Sequence, residues 1–166
     1  MSLLIPLLLA TAAVRGGASL LVRRGHRSAR AWDSWSAAAA AGMAAVFLST
    51  GVTHFIEPQR SGLEAIVPAA IPAPGLVITA TGLLEFVLAA ALLMPRTRRW
   101  AGLVSALLLV ALFPANVIAA GGVDHPDAPT TPLAARALLQ IVFIAFALAP
   151  TVAGRGVSRR RRPARA

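Results

Sequence analysis

Six side chains in this sequence are of types that can move a proton or hold a polar ligand, and each lies inside or at the edge of an apolar run: His54, Glu57, Glu85, Asn116, Arg136 and Gln140. Glu85 is the most demanding. It stands in GLVITATGLLEFVLAAALLM (residues 75–94), a run whose length at ~1.5 Å rise per residue matches a ~30 Å hydrocarbon core. A carboxylate near the centre of such a run costs at least ~2.5–3.5 kcal/mol unless it is neutral, paired or turned toward a polar interior. The chemistry open to it is proton donation, proton acceptance or a buried hydrogen bond. Arg136 and Gln140 are spaced i,i+4 and share one helix face, and Thr81 lies one turn from Glu85. His54 and Glu57, at i,i+3, form an isolated pair with none of the Glu-x-x-His spacing of zinc or di-iron helices, so no metal centre is read. There is no glycine-rich phosphate loop and no Ser/His/Asp arrangement. The chain has no cysteine, which removes disulfides, thiol relays, Fe–S ligation and a thiol nucleophile.

The elements that must position these groups are membrane helices. The sequence is 57% hydrophobic and 13% charged, a composition rare in soluble domains, with mean hydropathy +0.73. Five spans are expected, at about Ser2–Val22, Trp35–Phe55, Gly75–Met94, Trp100–Ala120 and Leu133–Ala153. The first carries Arg15, and the apolar piece before that arginine is short. Its basic residues follow the apolar stretch, the reverse of a secretory signal, so it reads as a retained helix, with a re-entrant or interfacial helix as the alternative. The second is rich in alanine with Gly42 and Gly51, which places it inside the bundle. Pro68, Pro72 and Pro74 make the stretch after Gln59 irregular, and Pro114 predicts a kink near the end of the fourth span. The expected divisions are an N-terminal helix (1–22), a four-helix membrane domain (35–153) and a basic disordered tail (154–166). The fold class is all-α, a polytopic helical bundle.

The net charge of +10 comes from sixteen arginines. They form no continuous stripe with interleaved aromatics, so nucleic acid is excluded as a partner, and membrane lipids are the expected surroundings. The connections 23–34, 95–99 and 154–166 hold four, three and six arginines, against one in 56–74 and none in 121–132. The positive-inside rule then predicts a bacterial inner-membrane protein with an outside N-terminus and a cytoplasmic C-terminus. In that topology His54, Glu85, Asn116, Arg136 and Gln140 all fall in the outer half of the bilayer. They form an expected polar pocket, with a Glu85–Arg136 link through Gln140 or water. Each also has a structural alternative. Glu85 can be a protonated acid bonded to a neighbouring helix, Asn116 and Gln140 interhelical ties, Arg136 a snorkelling anchor and His54 a helix-end residue facing headgroups. Arg96, Arg98 and Arg99 read as topology determinants, and Trp32 and Trp35 as interface anchors.

The order GVTHFIEP, IVPAAIPAPG, TGLLEFVLAAALLMPRTRRWAG, FPANV, RALLQIVFIAFA over about residues 40–150 resembles the DoxX family of bacterial membrane proteins. The resemblance implies a four-helix membrane bundle formed by the second to fifth spans, with the first an addition outside it. It further implies a redox-associated subunit binding a quinone-like ligand. Glu85 would be the proton-transferring, catalytic group, and His54, Asn116, Arg136 and Gln140 would be the ligand-binding ones. Partners would be redox proteins or a second copy of the chain. Whether such a subunit is itself an enzyme is open on this resemblance. The alternative is a non-enzymatic membrane scaffold or assembly factor in which the polar cluster only locks the bundle.

Overall fold

The computed structural model describes residues 3–159, with side chains to residue 152. Among them the chain is all-helical: α1 (Leu4–Arg23), α2 (Trp35–Thr53), α3 (Gln59–Glu64), α4 (Pro74–Leu93), α5 (Arg98–Ala111), α6 (Phe113–Gly121) and α7 (Leu133–Arg159), with a 3₁₀ turn at Arg27–Ala31. Five helices or helix pairs in the described residues are long and apolar enough to cross a membrane: α1, α2, α4, α5 with α6, and α7. The chain reads as a multi-pass membrane protein. The expected tail from 154 is helical backbone as far as Arg159, and the rest of it, 160–166, lies outside the described residues.

Helix α2 is the axis of the bundle, packing against α1, α4 and α7, while α5 closes the ring against α4 and α7. The five alanines Ala37–Ala41 and Gly42 are all buried, as the composition of this segment predicts. Small residues allow close backbone approach, and in lipid that packing replaces the hydrophobic drive between helices. Helix α1 is not an addition outside the bundle. Leu7 is fully buried in the main core beside Met43 and Phe47, and a side chain at Gly42 would collide with the Leu7 carbonyl and the Thr11 hydroxyl. Leu3, just before α1, and Thr50, near the end of α2, line the same cavities, so the two helices run antiparallel.

The fourth span breaks where Pro114 requires. Helix α5 ends at Ala111 and α6 starts at Phe113, with Pro114 in its first turn, where a missing N–H costs nothing. The end of the bundle holding residues 54–73 and 122–132 is capped by a small second core of Ile66, Ala119 and Ala128. At the opposite, arginine-rich end the loops are stapled by side chains. Arg15 pairs with Asp33, and the Asp33 carboxylate also accepts from Ser19 Oγ at 2.6 Å. That Ser19 hydroxyl, followed by the Arg15 charge, holds the Asp33 carboxyl below its ordinary range despite partial desolvation.

Arg98 is buried rather than a free topology charge. It donates to the Leu92 and Leu93 carbonyls that end α4 (3.0 and 3.3 Å) and to Ala31 O (3.2 Å). Its guanidinium lies 4.3 Å from the centre of the Trp32 ring. A cation at a helix C-terminus satisfies orphan carbonyls and the dipole together. Trp32 is thereby enlisted in the staple, while Trp35 and Trp100 remain exposed on the bundle surface.

Candidate functional site: two adjoining cavities at one end of the bundle

Helices α2 and α4 meet at two glycines. A Cβ on Gly51 would lie 2.8 Å from the Phe86 ring, and one on Gly82 would lie 2.6 Å from His54 Cβ and 2.8 Å from Phe55. The close approach at Gly82 brings Glu85, one turn further along α4, within reach of α2. Glu85 is 5% exposed, and its Oε2 lies 2.6 Å from Thr50 Oγ1. The Thr50 hydroxyl also lies 3.0 Å from Val46 O. One hydroxyl carries one hydrogen and two lone pairs. With Glu85 protonated, the acid donates to Thr50, and Thr50 donates to Val46 O. With Glu85 ionised, Thr50 turns to the carboxylate and gives up the carbonyl. Only the neutral acid satisfies both contacts. No cation stands against Glu85: the ion pairs among the described residues are Arg15–Asp33 and Arg60–Glu64.

His54 caps the end of α2 and is 7% exposed. Its Nδ1 lies 2.9 Å from Thr50 O. A carbonyl oxygen only accepts, so Nδ1 carries the proton and Nε2 is the acceptor of the neutral ring. Nε2 and Glu85 Oε1 have no hydrogen-bond partner among the described residues. Both side chains line a cavity of about 380 Å³, together with Thr50, Thr81 and Asn116. The rest of its wall is apolar: Val77 and Ile78 of α4, Leu112 and Pro114 at the α5–α6 break, and Leu63, Ile66, Val67 and Ile71 of the capping segment. That segment is clasped by Arg60, which donates to His54 O at 2.8 Å and Gly75 O at 3.0 Å and pairs with Glu64 at 3.0 Å.

Arg136 and Gln140 stand in a second, adjoining cavity of about 420 Å³, which shares Thr50, Asn116, Leu63, Leu112 and Leu3 with the first. Their bonds form a directed chain. Arg136 donates to Asn116 Oδ1 (3.0 Å), Asn116 Nδ2 to Gln140 Oε1 (3.2 Å), and Gln140 Nε2 to Leu109 O (3.0 Å) beside the helix break. Arg136 also donates to Thr131 O (2.7 Å) and Pro129 O (2.8 Å).

The five expected residues are thus not gathered in one pocket. Glu85 and His54 line the first cavity, Arg136 and Gln140 the second, and Asn116 both. The expected Glu85–Arg136 link does not form, because the Pro129 and Thr131 carbonyls of the loop before α7 and the Asn116 amide oxygen of α6 engage the guanidinium instead. Glu57 is exposed and accepts from Ser61 N at 3.1 Å, so it does not pair with His54. Among the described residues no three His, Asp or Glu side chains come together as metal ligands would.

A family model described as a domain of unknown function (DUF8561) matches residues 43–151. The chain belongs to this family. No curated protein and no solved structure matches it. The DUF8561 segment begins within α2 and leaves out α1, yet contains every polar residue of both cavities.

Thr50, Arg60 and Gly82 are the site residues that the sequence reading did not assign. Thr50 stands one turn before His54, at i,i+4, and that spacing is the pattern by which it could have been found.

Proposed function

We propose that this protein is a redox-associated membrane subunit that binds a quinone-like ligand in the Glu85–His54 cavity. One observation carries the reading: an apolar, membrane-depth chamber presents a carboxyl group and an imidazole Nε2, each with one position not used by the protein. Largely apolar pockets with a few oriented polar groups suit small ring-shaped ligands. Toward a ligand carbonyl the neutral Glu85 carries its O–H on Oε1 and donates it, while Oε2 accepts from Thr50, which then gives up Val46 O; Nε2 of His54 accepts from a ligand hydroxyl. The pair therefore fits either redox form of such a molecule and can pass protons to and from it. Thr50 fixes both groups, the carboxyl through its hydroxyl and the imidazole through its carbonyl. Asn116 supplies a polar contact from the opposite wall.

The resemblance to DoxX proteins supports the same reading, and the absence of cysteine assigns electron transfer to a partner protein's redox centre rather than to a thiol of this chain. The arginine distribution supports placing the cavities in the outer half of a bacterial inner membrane, with a cytoplasmic C-terminus. The test is binding of decylubiquinone to the purified chain in a non-ionic detergent. The wild type should bind it, and Glu85→Leu and His54→Ala should each weaken binding at least tenfold while eluting as folded protein. Equal binding by all three rejects the proposal.

A second reading rests on the other cavity. The chain Arg136–Asn116–Gln140–Leu109 O runs unbroken from α7 to α5 and secures the helix break. A scaffold or assembly factor needs no more than that, and it would bind a protein partner or a second copy without retaining quinone.

A further inference from the structure

We propose that the cavity at the start of α7 is a binding site for an amphipathic anion, an oxyacid head group on an apolar body, with Arg136 as its counter-ion. The proposal concerns a different cavity from the Glu85–His54 chamber and stands without the quinone reading.

The first ground is charge. Arg15 is neutralised by Asp33 and Arg60 by Glu64, but every protein partner of Arg136 is a neutral oxygen: Thr131 O, Pro129 O and Asn116 Oδ1. Asp124 and Asp127, in the loop before α7, are exposed and form no ion pair with it. A guanidinium that is half-buried and lacks a counter-ion is costly unless something anionic completes it. Its position adds to the potential. Arg136 lies in the first turn of α7, which contains no acidic residue, so the side-chain charge and the positive end of the helix dipole have the same sign.

The second ground is donor count. Arginine has five N–H groups, and the three contacts use one on each nitrogen. One N–H remains on each terminal nitrogen. The guanidinium is already held in place by its neutral partners, so an arriving oxyanion meets an oriented group rather than a flexible one.

The third ground is the rest of the wall. Beyond Arg136 the cavity is lined by Leu139 and Phe143, one and two turns deeper on α7, with Leu109 and Leu112 of the fourth span facing them. From residue 136 to 143 the helix rises ~10 Å. A head group at Arg136 with its body running along Leu139 and Phe143 matches this polarity. Inorganic phosphate would leave the apolar wall unused, and a neutral alcohol would leave the charge unanswered.

The probes follow from that contrast. Binding of decanoate, decyl phosphate, decanol and inorganic phosphate to the full chain is measured at pH 7.5 in a non-ionic detergent, by native mass spectrometry or isothermal titration. Decanoate or decyl phosphate should bind at least tenfold more tightly than decanol, and phosphate at the same concentration should not displace them. The preferred anion identifies whether a carboxylate or a phosphate head is the natural class. Arg136→Gln should weaken anion binding at least tenfold and leave decanol unchanged. If that variant does not fold, Phe143→Trp, which keeps the arginine and fills the apolar part, should block decanoate instead. Decanol binding as well as decanoate, undiminished binding by folded Arg136→Gln, undiminished binding by Phe143→Trp, or displacement by inorganic phosphate alone would each overturn the proposal. Decylubiquinone binding is read separately on the same preparations, so failure of either site is visible without the other.

Discussion

Gly82→Ala puts the geometry of the first cavity to a quantitative test. The added Cβ would lie 2.6 Å from His54 Cβ and 2.8 Å from Phe55 Cε2. Carbon atoms prefer separations of ~3.5–4.0 Å, and a Cβ cannot swing aside, so α4 must withdraw from α2 by about 1 Å. Overpacking of this kind costs ~1–3 kcal/mol. The same movement stretches the 2.6 Å Thr50–Glu85 contact to about 3.6 Å, beyond useful hydrogen bonding. An interhelical hydrogen bond in a membrane protein contributes ~0.6–1.7 kcal/mol, so after the ~0.4–1 kcal/mol that Gly→Ala gains in a helix is offset, the expected loss is ~1–4 kcal/mol. The control is Gly16→Ala on α1, where an added Cβ meets nothing within 4 Å. There the change in unfolded-chain entropy and helix propensity should stabilise by ~0.4–1 kcal/mol. Unfolding of the wild type and both variants by SDS in mixed micelles, followed by circular dichroism, gives the two differences directly. A Gly82→Ala protein within ~0.5 kcal/mol of wild type would refute the argument that this glycine sets the α2–α4 distance, since that is the scatter of substitutions touching nothing.

Gln140→Leu removes two bonds of the Arg136 chain, to Asn116 and to Leu109 O, and should cost ~1–3 kcal/mol by the same measurement. Because Gln140 does not line the Glu85 cavity, decylubiquinone binding should survive that substitution; loss of binding in a folded variant would show that the two cavities act as one. Asp33 should titrate below its ordinary value of 3.8, and Ser19→Ala should move its midpoint upward, as read from the carboxyl carbon chemical shift. The sign follows from the lowered value in the folded state. The loop's tie to α1 is fully present above about pH 3.8 and is lost as pH falls through the folded midpoint. A midpoint at or above 3.8 contradicts the Ser19–Asp33 contact.

Much of the fold is legible from run lengths and from two residue types. Apolar stretches of one bilayer thickness announce the helices, and the alanines of α2 announce its central place. Pro114 marks the break between α5 and α6 because a residue without an N–H cannot continue the ladder. The candidate site is legible in depth but not in azimuth. Counting residues from the membrane faces places Glu85 and Arg136 in the same half of the bilayer, yet each residue turns a helix by ~100°, and small rotations decide which cavity a side chain enters. That is why five polar residues expected in one pocket divide between two.

Local competition was the other thing hidden from the sequence. Carbonyls at the end of α4, in the loop before α7 and beside the α5–α6 break engage Arg98, Arg136 and Gln140, and nothing in residue spacing reveals which of them are available. The role of α1 rests on packing along α2, tightest where Gly42 meets Leu7 and Thr11, and its apolar composition alone does not distinguish a bundle helix from a peripheral one.

The central claim is that the Glu85–His54 chamber holds a quinone-like molecule, and the most direct measurement is what the chamber carries out of the membrane. Wild type and Glu85→Leu are purified in mild detergent, and the co-purifying small molecules are identified by mass spectrometry against a bundle-intact control such as Gly16→Ala. The account predicts a quinone retained near one per chain by wild type and control, and depleted at least tenfold in Glu85→Leu, which has no polar group to offer the ligand. Equal quinone in all three, or none in any of them alongside a stable protein partner, contradicts it and leaves the polar cluster as a structural lock.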